Sequence, residues 1–189
     1  MNISPAITVY CASSPEAPAE FVNCAYELGR EAAARGLATV TGAGAAGLMG
    51  AVVRGTLDGG AKAIGVIPRF MVERGWQNQA MTECHVVADM HERKAMLAQL
   101  GCGAVALPGG IGTLDELMEL LALRQLGQYH HPVVILNLNG FYDALLAQFE
   151  HADSHSMMRH TGLDGRHWEV ATTPREAVDI IENHIKQNR

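Results

Sequence analysis

Short apolar runs alternate along this chain with longer stretches whose apolar residues recur every third or fourth position, the periods of buried strands and amphipathic helices. Ala6 to Cys11 reads as a first strand, and Ser13, Ser14 and Pro15 then mark a helix start. That helix carries Phe21, Ala25, Leu28 and Ala32 on one face and stops at Gly36. Leu37 to Val40 and Ala61 to Ile67 are the next strands, separated by a glycine-rich turn and a helix. Arg69 to Met81 has no regular period and places Trp76 among Gln and Asn, as a lid, a contact loop or a surface crossover would. Thr82 to Ala88 is again a strand. Asp89, with Glu92 three residues on, caps a helix whose expected buried face is Met90, Ala95, Met96, Leu97 and Leu100. Ala104 to Leu107 leads through glycines into a helix bearing Leu114, Leu117, Met118 and Leu121, which Gly127 ends. Val133 to Asn137, a helix through Phe149, Trp168 to Ala171 and a helix opened by Pro174 complete the series. About seven strands, each followed by a helix, predict an α/β protein with a Rossmann-like, doubly wound parallel sheet.

Length and composition narrow the picture. The 189 residues suit one domain, 1–189, large enough to bury a core without staples. Twenty glycines and 48% hydrophobic residues fit many tight strand-to-helix turns. A net charge of −6 argues against a nucleic-acid backbone as partner, which needs a basic face, so a small ligand is expected. Cys11, Cys24, Cys84 and Cys102 show no metal-like or redox spacing and read as reduced thiols of a cytoplasmic protein. Neither a signal peptide nor a membrane-spanning apolar run is expected.

The chemistry concentrates at Leu107-Pro108-Gly109-Gly110-Ile111-Gly112-Thr113-Leu114-Asp115-Glu116. A strand, a glycine turn and a helix N-terminus together favour an anion, because the first N–H groups of a helix lack intrahelical partners and lie at the positive end of its dipole. The glycines let a phosphate approach the backbone, and Thr113 adds a hydroxyl. Glu116 has two readings here: a site carboxylate, or the second half of a capping box begun by Thr113. Arg93 sits at the margin of the buried face of its helix, where a guanidinium requires a carboxylate or phosphate, whereas adjacent Lys94 suits a solvated face. Because Arg93 and Glu116 belong to successive strand–helix units, they are expected to meet at one sheet edge. Gly42 to Gly47 formally match a dinucleotide fingerprint, but the following strand ends in Pro68-Arg69 and not in an acid, which argues against NAD. His151, His155 and His160, near Asp153, lie in a polar stretch with no further ligand set, so no metal is expected.

Pro108-Gly109-Gly110-x-Gly112-Thr113-x-x-Glu116, preceded by Met90-His91-x-Arg93-Lys94, resembles the LOG ("Lonely Guy") family of cytokinin riboside 5′-monophosphate phosphoribohydrolases, often labelled possible lysine decarboxylases. Val9-Tyr10-Cys11-x-Ser13-Ser14, Gly47-Leu48-Met49-Gly50, Gly65-Val66-Ile67-Pro68, Gln125-Leu126-Gly127 and Leu136-Asn137-x-x-Gly140-Phe141-Tyr142 are similar to further family segments. The resemblance implies hydrolysis of the N-glycosidic bond of a nucleoside 5′-monophosphate, without a cofactor. It implies Arg93 and Glu116 as the catalytic pair and Gly109, Gly110, Ile111, Gly112 and Thr113 as the phosphate loop. Ser13, Gly44, Met90 and Lys94 are its further substrate-binding positions, and a homodimer or larger homo-oligomer is its expected assembly. Departures fall at Thr41-Gly42-Ala43-Gly44, where many members have three consecutive glycines, at Leu123 in place of tryptophan, and at residues 150–168. Around Glu73 the register of an expected acidic contact is lost. These leave the base open among isopentenyladenine, plain adenine and another purine.

The decarboxylase label conflicts with the residues. Such enzymes hold pyridoxal phosphate on a lysine, and this chain has only Lys62, Lys94 and Lys186, none placed for that role. The alternative from another class is a non-hydrolytic nucleotide or cofactor carrier using the same loop; it would not need Arg93 and Glu116 together.

Overall fold

The computed structural model describes residues 5–159 and 167–188. Seven strands form one parallel sheet: β1 (Ala6–Tyr10), β2 (Ala38–Thr41), β3 (Ala63–Pro68), β4 (Glu83–Val87), β5 (Ala104–Ala106), β6 (Val133–Leu136) and β7 (Glu169–Ala171). Their order is β4-β3-β2-β1-β5-β6-β7, so the direction of winding reverses between β1 and β5. In such sheets the loops leaving the two switch strands diverge and open a crevice at the strands' carboxyl ends.

The alternation of side chains along each strand builds two cores. Ile7, Val9, Val105, Leu107, Val134 and Leu136 face helices α1 (Ala19–Ala34), α2 (Gly47–Asp58) and α7 (Pro174–Gln187). Ala6, Tyr10, Val40, Val66, Ala106 and Ile135 face α4 (Met90–Leu100), α5 (Ile111–Gln125) and α6 (Asp143–Ser154). Because both faces are covered, every strand residue of β1, β2, β3, β5 and β6 is buried. A buried hydroxyl pins α4 to the sheet: Thr8 Oγ1 donates to the Leu97 carbonyl at 2.7 Å.

Several boundaries differ from expectation for identifiable reasons. Helix α1 begins at Ala19 and not at Ser13–Pro15, since Pro18 takes an extended conformation at its N-cap and excludes the preceding residue from helical space. The stretch expected to be irregular contains a short helix, α3 (Arg69–Glu73). Helix α6 continues past Phe149 to Ser154 and takes in His151, whose ring packs 4.4 Å from that of His155. His160 lies outside the described residues. On α4 the buried residues are Arg93 and Leu97, one turn apart, while Ala95 is exposed. The expected face was therefore rotated, because Arg93 takes an inward position that an apolar count assigns to alanine.

Candidate active site

The crevice at the β1/β5 switch is held by main-chain bonds among the loops that line it. Leu107 N–H donates to the Tyr10 carbonyl at 2.9 Å, Ala12 N–H to Pro108 at 3.1 Å, and Met49 N–H to Ala12 at 3.1 Å. Tyr142 reaches up from α6's start and donates its hydroxyl to the Leu107 carbonyl at 2.7 Å. The segments after β1 and β5 and the start of α2 therefore form one rigid rim.

On that rim Arg93 and Glu116 meet. Arg93 Nη1 donates to Glu116 Oε1 at 2.6 Å, and each residue is 7% exposed. Arg93 Nε donates to the Val66 carbonyl at 3.3 Å, so β3 fixes the guanidinium that α4 supplies. Glu116 does not close a capping box. Helix α5 starts at Ile111 with Gly110 as N-cap, which puts Thr113 inside the first turn and Glu116 a turn too far to reach the N-cap backbone. Burial pushes the Glu116 carboxyl above the ordinary carboxylate range, against the opposing pull of Arg93.

The second glycine turn explains why Arg93 fits. A Cβ on Gly42 would lie 1.8 Å from Arg93 Nη2, so the bare backbone at 42 forms the wall behind the guanidinium. Gly47 has φ +57° and opens α2 against Ser14, whose carbonyl would be 2.4 Å from a side chain there. These glycines follow β2, not β1, and serve close packing, Gly42 against Arg93 and Gly47 against the Ser13–Ser14 backbone, in keeping with the absence of an acid after β3.

The anion-binding turn leads into the N-terminus of α5. No side chain caps it, and added Cβ atoms at Gly110 and Gly112 would meet nothing within 4 Å. The first N–H groups of α5 thus face open space at the positive end of the helix dipole. Thr113 is buried with its hydroxyl against Gly109, whereas Ile111 is 89% exposed at the lip.

Beside the ion pair lies a cavity of about 490 Å³ lined by Ser13, Gly42, Gly44, Met49, Met71, Trp76 and Arg93 among others. Ser13, Gly44 and Arg93 are thus brought together; Met90 sits half-buried at the first turn of α4 and is not among its lining residues. Lys94 turns the other way and pairs with Asp115, at 3.1 Å, and with Glu119. It clasps α4 to α5 and does not face the cavity. Burial opposes its charge, but the bond to Glu119 outweighs that and raises its pKa. Lys62 and Lys186 are exposed elsewhere, so the cavity holds no lysine that could carry pyridoxal phosphate. Among the described residues no group of three or more His, Cys, Asp or Glu is placed to hold a metal ion. Nor is any helix long and apolar enough to cross a membrane. Cys11, Cys24, Cys84 and Cys102 are all free thiols.

Sequence reasoning missed the far wall, Met49, Met71 and Trp76. Only an aromatic residue isolated between Gly75 and Gln77-Asn78-Gln79 signalled it.

Comparison with known proteins places the chain in a family and a fold. A family model described as "possible lysine decarboxylase" matches residues 49–181. The cytokinin riboside 5′-monophosphate phosphoribohydrolase LOG of Oryza sativa subsp. japonica is 40% identical over 182 residues, covering 96% of this chain and 74% of its own. An Arabidopsis thaliana protein of the same description is 37% identical over 183 residues, covering 96% of this chain and 84% of its own. Among solved structures, the molybdenum cofactor binding protein of Rippkaea orientalis superposes with TM-score 0.72 at 22% identity, covering 98% of this chain and 99% of its own. The molybdenum cofactor carrier protein of Chlamydomonas reinhardtii gives 0.74 at 21%, covering 97% and 99%. At those identities the two structures establish the fold alone.

Proposed function

This chain belongs to the LOG family, which the possible-lysine-decarboxylase model describes, and from that premise we propose that it hydrolyses the N-glycosidic bond of cytokinin riboside 5′-monophosphates. The observation that carries this reading is the buried Arg93–Glu116 pair, whose arginine lines an apolar cavity and whose glutamate belongs to the helix that starts at the uncapped glycine turn. The N–H groups of the 109–113 turn hold the 5′-phosphate, and that remote contact orients the ribose. The base then enters the cavity. As the bond between C1′ and the base nitrogen breaks, positive charge develops on the ribose, and the Glu116 carboxylate stabilises it while directing a water to C1′. The water oxygen joins C1′, the bonding pair leaves with the base, and a proton from the water ends on the departing nitrogen. Free base and ribose 5-phosphate result. Arg93 keeps Glu116 ionised and in place.

The same reading includes AMP as a second substrate, a cytoplasmic location and a homodimer or larger homo-oligomer, for which the exposed Ile111 offers an apolar residue to cover. A non-hydrolytic carrier would need the anion-binding turn but not a carboxylate held against an arginine. That alternative rests on fold likeness alone. The direct test is product analysis without added inorganic phosphate: base and ribose 5-phosphate are expected in equal amounts. Binding without products would return the carrier to the front.

A further inference from the structure

Trp76 is 53% exposed, yet the segment that carries it is firmly held. Its N–H donates to the Met71 carbonyl at 3.1 Å, the next residue, Gln77, forms an antiparallel bridge with Gly44, and Asn78 N–H donates to Ala43 at 2.8 Å. Main-chain bonds therefore fasten the 76–78 segment to the same turn whose Gly42 backs Arg93. The indole is supported from one direction by Arg74, whose guanidinium carbon sits 5.2 Å from its ring centre and 5.5 Å from that of Phe70. Unlike a single apolar residue on open surface, this half-exposed ring stands on rigid backbone at the wall of a cavity, where a ligand can meet it.

The chemistry of the cavity identifies that partner. Around Trp76 stand Met49, Met71, Ile67, Ala45 and Ala46. Among the described residues, the polar side-chain groups lining this cavity are those of Ser13 and Arg93 and the indole N–H of Trp76, and Arg93 is already engaged with Glu116 and Val66. Such a wall has few groups to recognise an exocyclic amine by hydrogen bonding. It favours π-surface and apolar bulk, with the two thioethers of Met49 and Met71 adapting to shape. We infer that Trp76 is a specificity-determining residue, a stacking platform that selects nucleotides whose base carries an apolar substituent over those whose base does not. The inference rests on the phosphoribohydrolase reading for the identity of the ligand.

Hydrolysis of isopentenyladenosine 5′-monophosphate and of AMP is compared in the wild type and in Trp76→Ala and Trp76→Phe. Loss of a base–aromatic stack is expected to raise KM for the substituted nucleotide by roughly tenfold in Trp76→Ala, with kcat little changed. The preference over AMP should shrink, and Trp76→Phe should recover most of it. An unchanged KM and preference in Trp76→Ala would overturn the inference while leaving the hydrolase reading intact. Should the wild type hydrolyse neither nucleotide, the hydrolase reading falls, and the platform is judged by binding. With Trp168→Phe leaving Trp76 as the sole tryptophan, saturable quenching by the substituted nucleotide upholds it, and no change in emission overturns it.

Discussion

Arg93 and Glu116, carried by successive helices on one face of the sheet, meet across 2.6 Å with both side chains buried. A pair so enclosed is strongly coupled to the fold, because removing either partner leaves a charge without water or counter-charge. Arg93→Ala is therefore expected to cost about 3–5 kcal/mol in chemical denaturation. Arg93→Lys should restore little activity, since a single ammonium cannot bond Glu116 and the Val66 carbonyl with the same planar geometry. Near-wild-type stability for Arg93→Ala would mean that Glu116 is not held as described.

Two glycines test packing against ligand access. Gly42→Ala places a methyl where Arg93 Nη2 lies, so the guanidinium must move. Because the guanidinium is pinned to Glu116 and Val66, moving it weakens the buried pair: activity should fall by about a hundredfold, and Tm should fall as well, though less than in Arg93→Ala. Gly112→Ala meets no protein atom, and its added helix propensity should stabilise the protein by roughly 0.5–1 kcal/mol. Its methyl would instead crowd the phosphate, raising KM for nucleotides. Unchanged KM in Gly112→Ala would contradict phosphate binding at this turn.

The raised pKa of Glu116 makes activity and stability respond to pH in opposite directions. Catalysis uses the ionised carboxylate, so the acid limb of kcat/KM should lie above the ordinary glutamate value of about 4.3. For stability, a carboxyl whose folded pKa exceeds its unfolded value contributes most below the unfolded pKa and loses that contribution as pH rises through the folded one. The Tm difference between the wild type and Glu116→Gln should therefore move against Glu116 over the same interval in which activity rises. Parallel trends would show that Glu116 is not the group being titrated.

Lys94 gives a contrasting case beside the catalytic arginine. Since it pairs with Asp115 and Glu119, Lys94→Met is expected to lower Tm by loosening α4 from α5 while KM for nucleotides stays the same. A several-fold rise in KM at unchanged Tm would instead make Lys94 a substrate contact.

Most of the sheet was legible in the chain because β1, β2, β3, β5 and β6 are buried throughout and read as largely apolar runs, as at Ala6–Tyr10 and Val133–Leu136. Arg93 and Glu116 could be placed at one edge by topology alone. The choice between a capping box and a site carboxylate depended on where α5 begins, and a one-turn ambiguity in a glycine run is invisible to residue spacing. On α4, Arg93 displaced Ala95 from the buried face, because a paired arginine behaves unlike an isolated one. The loop around Trp76 was hidden for a different reason: its order comes from main-chain bonds to Ala43 and Gly44, which are distant in sequence and carry no side-chain signature.

The buried pair is assigned the cleavage of an N-glycosidic bond. The most direct test of that assignment is release of base from isopentenyladenosine 5′-monophosphate by the wild type beside Glu116→Gln, with nucleotide binding measured in both. Release by the wild type, a reduction of about 100- to 10,000-fold in kcat for Glu116→Gln, and retained binding are expected. Equal rates in the two proteins, or binding without release in the wild type, would contradict the assignment.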